Sequence, residues 1–301
     1  LNRDDSSLNE NERARIKREA ERLLKEAGAF GVFPTPVEDI LAAAKLKTYA
    51  KPAIDDGFIN WIGAKVGHAK QLIKTAFDKV LGLFDVRDGS VYIDQTVQKV
   101  KQTFLKLHEA GHARLPWQRS IYSIIHDCQK TLAPDVADHF DREANVFASE
   151  VLFQLDAFTE RASSEPFGIN VPMKIGKKFG ASAYSSIRRY VSESEKACVV
   201  LVLEMPETDS ILGYKCLIRR IITSEQFDTV FGAVEWPPFI TPHDEFGFLV
   251  PIGKRMSRPQ GLQLVDANGG TQDCVGEGFS SGFQVFLLIH QVAPSAVSIF
   301  F

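Results

Sequence analysis

The stretch KLHEAGHARLPW, residues 106–117, sets two histidines four positions apart around a glutamate, in a helical run that Pro116 must end. At 3.6 residues per turn, His108 and His112 share one face and can offer two imidazole nitrogens to one point. Phe104, Leu105, Leu107, Gly111 and Leu115 give this helix much apolar surface, so the histidines are expected to point inward. Buried imidazoles require hydrogen-bond partners or a ligand. The chain must therefore pack something chemically specific against this helix.

A metal ion is the ligand that the spacing predicts. Zn²⁺ is the first expectation and Mn²⁺ the other ion the donor set would take. Glu109 lies about 100° round the helix from His108. There it can accept a proton from a metal-bound water without occupying a coordination position. A catalytic zinc takes three protein ligands, so the third must come from another segment. HFDREANVFASEVL, residues 139–152, offers His139, Asp141 and Glu143. Helical phase groups Asp141 with Asn145, Ala144, Ala148, Val151, Leu152 and Leu155 on the expected buried face. It puts Glu143 on the solvent side with Glu150 and Gln154. Asp141 is the first choice, Glu143 the alternative, and His139 the least favoured. Asn145 is expected to hold a histidine in orientation.

FLKLHEAGHARL followed by DREANVFASEVL resembles the ImmA/IrrE family of metallopeptidases. That family pairs an HExxH helix with a downstream E-x-x-A-N-x-F-A helix. Ala144, Asn145, Phe147 and Ala148 match the second pattern, and Asp141 stands where the family has its ligand glutamate. The similarity runs over about residues 30–195. It implies a cytoplasmic zinc-dependent endopeptidase whose substrate is a partner protein, a DNA-bound transcriptional repressor in typical members. It also implies a zincin-like fold, and some members carry a C-terminal domain resembling GAF sensor domains.

The rest of the 301-residue chain reads as α+β. Expected are a mainly helical zincin-like domain with a small sheet (1–160), a helix-turn-helix-like segment (161–195) and a β-rich C-terminal domain (196–301). The first helix should start near Ser7, with Glu10 completing a capping box, and stop at Gly28. Thr35, Pro36 and Glu38 mark a second start, and Val37, Ile40, Leu41 and Ala44 form its apolar stripe. Residues 57–66 read as a strand and 68–82 as a helix. GSVYIDQT should be a strand with Val91 and Ile93 on one face. The ligand-bearing helix is expected to run from Asp135 to Phe158.

ACVVLVLE, YKCLIRRIIT and GFQVFLLIH are β-rich runs, and EWPPFITPHDEFGF reads as a rigid loop covering a sheet. Lys174, Lys177, Lys178, Arg188 and Arg189 in the helix-turn-helix-like stretch suit either DNA contact or a brace with solvated basics, and the brace is favoured. The slightly negative net charge of -3 argues against a surface that coats nucleic acid. Cys128, Cys198, Cys216 and Cys274 form no CxxC pair and are expected as reduced thiols. With no apolar leader and no membrane-length apolar run, the expected location is the cytoplasm. Two functions follow as expectations: repressor hydrolysis, or a non-catalytic regulatory module acting through protein or DNA contacts.

Overall fold

The computed structural model describes residues 8–51, 82–85, 89–94, 98–121 and 134–292. The expectations for 57–66 and for most of 68–82 lie outside these residues, as does Cys128. The protein is mixed α and β, and its chain divides into two compact units. One unit comprises Ser6–Phe158 with Gly176–Ser182, and the other includes Thr159–Ile175 and Ala183–Phe301.

The first unit opens with α1 (Glu10–Glu26), whose cap is a reciprocal box between Asn9 and Glu12. The box stands two residues beyond the expected one. Asn9 accepts from the Glu12 amide at 2.9 Å, and Glu12 accepts from the Asn9 amide at 2.8 Å. Helix α2 (Val37–Ala43) starts at Pro36 with no side-chain cap. Thr35, expected to cap it, instead donates its hydroxyl to the Leu152 carbonyl at 2.7 Å. A long-range bond has taken the side chain from the local one.

Strands β1 (Lys47–Lys51), β2 (Gly82–Asp85) and β3 (Ser90–Asp94) make a small sheet in the order β1-β3-β2. β1 runs parallel to β3, and β2 antiparallel to it. Val91 and Ile93 are both buried, as their alternation predicts. Helix α3 (Lys99–Arg114) packs on β2 and β3, and on α4 (Pro134–Leu152), which in turn packs on α1.

The expected long helix breaks at Leu152. Gln154 and Leu155 adopt left-handed backbone, with φ of 51° and 59°, and α5 (Ala157–Ser163) begins afterwards. The break has a polar cause. Gln154 is buried, accepting from the Gly31 amide at 2.8 Å and donating to the Val32 carbonyl at 2.7 Å. It was expected on the solvent side. A buried amide so satisfied offsets two uncommon residues of φ > 0.

Helices α6 (Asn170–Phe179) and α7 (Ala183–Ser192) meet at Gly180, whose φ of 74° suits a residue without Cβ. The turn, Gly176–Ser182, belongs with the first unit, and both flanks belong with the second.

The second unit is built on a seven-stranded antiparallel sheet. Its strands are β4 (Cys198–Leu203), β5 (Glu207–Asp209), β6 (Gly213–Thr223), β7 (Phe239–Ile240), β8 (Gln260–Val265), β9 (Thr271–Ser280) and β10 (Val285–Gln291). The path is β5-β6-β4-β10-β9-β8, with β7 added to β6. The three β-rich runs read from the sequence became β4, β6 and β10. β4 and β10 are the central pair, and every residue of β4 is buried. Helix α7 packs on β4 and β6.

The connection from β6 to β8, which includes α8 (Glu225–Phe231) and the Pro-rich loop, covers a sheet face with Phe227, Phe231, Ile240, Phe246 and Leu249. Leu249 lies in a groove that glycines create. A Cβ on Gly276 would stand 2.5 Å from Leu249 Cδ1, and one on Gly278 would meet the Leu249 carbonyl oxygen. Cys198, Cys216 and Cys274 are free and buried, and burial raises each thiol to about 11.

Glu277, buried on β9, accepts from the Ile169 amide at 2.9 Å, while Tyr190 Oη accepts from the Gly168 amide at 3.2 Å. Both bonds pin the stretch just before α6. Burial raises the Glu277 carboxyl above 4.5, only partly opposed by the Ile169 amide. The folded state thus holds a proton that the unfolded chain releases first. This contribution is full below the unfolded value and is lost as pH rises through the folded one. Glu277→Gln keeps an acceptor without the charge. Urea denaturation of the variant should show less loss of stability with rising pH than the wild type, and an equal pH slope would contradict this account.

Candidate metal centre

His108 and His112 lie in the last two turns of α3 and both face α4. Their Nε2 atoms are 3.1 Å apart, and the rings meet edge to face with centroids 4.7 Å apart. Asp141 Oδ1 on α4 stands 3.8 Å from His108 Nε2 and 3.5 Å from His112 Nε2. Two donor atoms each about 2.1 Å from one tetrahedral ion stand about 3.4 Å apart. The three edges bracket that distance, so the donors fit a single small divalent cation. This is the only group of three such donors found among the described residues. Two imidazoles and a carboxylate suit Zn²⁺, and the geometry does not name the metal.

Close approach of the two helices builds the site. A Cβ on Gly111 would meet Ala144 Cα at 3.1 Å, Ala144 Cβ at 3.3 Å and Phe147 Cδ1 at 3.3 Å. Gly111 and Ala144 are thus the contact at which α3 and α4 cross. Leu107, Ala110, Phe147 and Ala148 are buried around it.

Asp141 reaches the histidines from an unexpected place. Its side chain is 62% exposed, whereas Glu143, Glu150 and Gln154 are all buried. The phase reading chose the residue that meets the histidines and placed Ala144, Ala148, Val151 and Leu152 inside correctly, but it put Asp141 inside and Glu143, Glu150 and Gln154 outside. Asp141 sits at the mouth of the site, while Glu143 is inside and turned elsewhere. Glu143 Oε2 accepts from Trp117 Nε1 at 2.8 Å and from Gln118 Nε2 at 2.6 Å, and Oε1 is 3.7 Å from His139 Nε2. His139 itself lies 3.4 Å from Glu12 Oε1, so neither alternative joins the cluster.

Each imidazole is held from behind. His108 Nδ1 lies 3.0 Å from Asn145 Oδ1, the partner expected from the sequence. His112 Nδ1 lies 2.7 Å from Gln118 Oε1. Gln118 was missed in the sequence. It follows the helix-ending Pro116, where periodicity stops carrying information, and its only sign was a polar residue close behind the motif.

The electrostatics separate the groups. Burial, reinforced by His112, lowers His108 to about 4, against opposition from Asp141 and Asn145. Burial also acts to lower His112, but Asp141, Glu109 and Gln118 outweigh it and raise the ring above 6.5. Asp141 is lowered, because both histidines overcome its desolvation. Glu109, buried on the same helix, is raised to about 7 by desolvation, with His112 opposing and Asp141 adding. A carboxyl at that value can take up and release a proton near neutrality.

Among the basic residues of α6 and α7, Lys174 pairs with Glu165 at 2.6 Å and Lys178 lies over the Phe33 ring at 4.7 Å. Arg189 is buried, 3.7 Å from Glu193. Lys174, Lys177 and Lys178 stay exposed to solvent, and of the five basic residues only Arg189 is buried.

No family model and no curated protein matches the sequence. Among solved structures, the chain is similar to a Mycobacterium tuberculosis transcriptional regulator, with a TM-score of 0.52 and 12% identity. The match covers 92% of this chain and 87% of that one. It is a likeness of fold over nearly the full length. No helix among the described residues is long and apolar enough to cross a membrane.

Two outcomes follow. Gly111→Ala forces the neighbouring helix to give by tenths of an ångström, costing about 1–3 kcal/mol of stability. It should also weaken Zn²⁺ binding by roughly tenfold or more, as displaced supporting groups commonly do. Chelator competition and thermal melts would measure both, and unchanged metal affinity would show that the helix spacing does not govern the site. Separately, a cation must displace the proton held on His112. Affinity should therefore fall as pH drops through the raised His112 titration and level off above it, with proton release visible as buffer-dependent heat in calorimetry.

Proposed function

We propose that the protein is a metal-dependent endopeptidase that hydrolyses a partner protein. One observation carries this reading: His108, His112 and Asp141 converge on one point while Glu109, buried beside them, titrates near neutrality. When bound, Zn²⁺ would supply a Lewis acid that polarises the scissile carbonyl and makes water a nucleophile near neutral pH. His108, His112 and Asp141 would hold it. Glu109 takes the proton from the attacking water and returns it to the leaving amine. Its raised value lets one residue serve in both directions. The exposed position of Asp141 puts the mouth of the site where an extended peptide can approach.

The reading joins this chain to the ImmA/IrrE pattern, with a cytoplasmic transcriptional repressor as substrate and a zincin-like arrangement of α3, α4 and the small sheet. The M. tuberculosis protein of similar fold is named a transcriptional regulator, which accords with such a substrate. A central first-and-last strand pair, with a helix-bearing connection across one face, supports a GAF-like second unit. The second reading is a regulatory module without hydrolysis, in which the metal centre only shapes a binding surface.

Glu109→Gln separates the two. The variant should bind Zn²⁺ as the wild type does and cut the repressor encoded near its gene at least ~100-fold more slowly, the usual scale for a lost general base. Asp141→Ala should lose the metal itself. If Glu109→Gln cleaves at the wild-type rate, the general-base role is wrong. If the wild type binds metal but cuts nothing, the regulatory reading takes its place.

A further inference from the structure

We infer that Glu143 and Gln118 form a positioning relay that sets the tautomer of His112 and so aims its Nε2 lone pair into the centre. The inference rests on the metal-centre reading, but it concerns the ring before any ion arrives.

The geometry decides the amide first. Gln118 is fully buried, and one end of its carboxamide faces two acceptors: the Phe140 carbonyl at 3.1 Å and Glu143 Oε2 at 2.6 Å. The Phe140 carbonyl can only accept, so that end must be the NH₂ group, and Glu143 Oε2 takes its second hydrogen. Rotating the amide would set its oxygen against two oxygens and leave both NH₂ hydrogens facing the imidazole. The orientation is thus fixed by the two acceptors at that end. Trp117 Nε1, donating to the same Oε2 at 2.8 Å, holds the carboxylate in place.

The other end of the amide is then an oxygen, 2.7 Å from His112 Nδ1. An oxygen there accepts, so Nδ1 must carry the hydrogen. In the neutral ring, Nε2 is left with its lone pair directed toward His108 Nε2 and Asp141 Oδ1. This outcome is not automatic. Asp141 Oδ1, 3.5 Å from His112 Nε2, invites the opposite tautomer, with the hydrogen on Nε2. Gln118 tips the choice, and Glu143 tips Gln118. The buried carboxylate thus acts on the centre from behind the ring, while Asp141 acts from its mouth.

The test uses the full chain, metal-free, at a pH above the His112 titration. Nitrogen-15 NMR of the ring should show hydrogen on Nδ1 in the wild type. Gln118→Leu, close in volume, should move it to Nε2 and weaken Zn²⁺ binding by about 10–100-fold in chelator competition. Glu143→Gln, which keeps an oxygen for Gln118 and Trp117, should retain both the tautomer and most of the affinity. Glu143→Leu should lose much of each. Circular dichroism and melting curves identify variants that merely unfold, and the wild-type tautomer decides the matter even if all of them do. Hydrogen on Nε2 in the wild type overturns the relay whatever the metal does. Hydrogen on Nδ1 with no Zn²⁺ bound upholds the relay and overturns the metal centre instead. A Gln118→Leu protein that stays folded with unchanged tautomer also overturns it.

Discussion

Everything at the metal centre depends on the distance at which α3 and α4 cross. At Gly111 a methyl group would stand 3.1 Å from Ala144 Cα, so the two backbones approach too closely to take one without shifting. Three consequences share this cause. Asp141, one methylene shorter than a glutamate, reaches the histidines because its helix is near. His108 and Glu109 lose solvent, which drives one down to about 4 and the other up to about 7. Asn145 and Gln118 come within hydrogen-bond reach of the two rings. A wider crossing would weaken all three together, so the small residues matter as much as the ligands.

The acidic groups around the crossing divide the labour by position rather than by type. Asp141 is largely in solvent, and its charge is held by the two imidazoles it faces. Glu109 is buried without such a pairing, so desolvation dominates and its proton is shared with solution near neutrality. Glu143 is buried too, but its donors are Trp117 and Gln118, which commit it to orientation rather than ligation. Three carboxylates within thirty-five residues thus sit in three different electrostatic settings.

How much of this was legible depends on the range of the interaction. The α3 pair was plain, because i to i+4 spacing is a local fact and Pro116 marks its end. Asn145 was legible for the same reason, one turn beyond Asp141. The faces of α4 were not, because periodicity of apolar residues assumes that buried positions are apolar. Glu143, Glu150 and Gln154 are buried polar residues, and the partners of Glu143 and Gln154 come from Trp117, Gln118, Gly31 and Val32, far away in sequence. Thr35 misled in the same way, since a good local cap was outbid by the Leu152 carbonyl. In the second unit the hydrophobic runs of β4, β6 and β10 declared themselves. β8 and β9 did not, because glycines at 261, 276 and 278 interrupt the apolar pattern.

Two of those glycines, Gly276 and Gly278, fix how the sheet of the second unit is covered. The central strands are covered, and one face is filled by Phe227, Phe231, Phe246 and Leu249 from the β6–β8 connection. Leu249 occupies the groove over Gly276 and Gly278, where even one added carbon atom would collide. Lifting the connection would take Leu249 out of its groove and strip these side chains of their packing partners. Removing a fully buried leucine from such a site costs about 2–5 kcal/mol, by the scale of leucine deletions in cores.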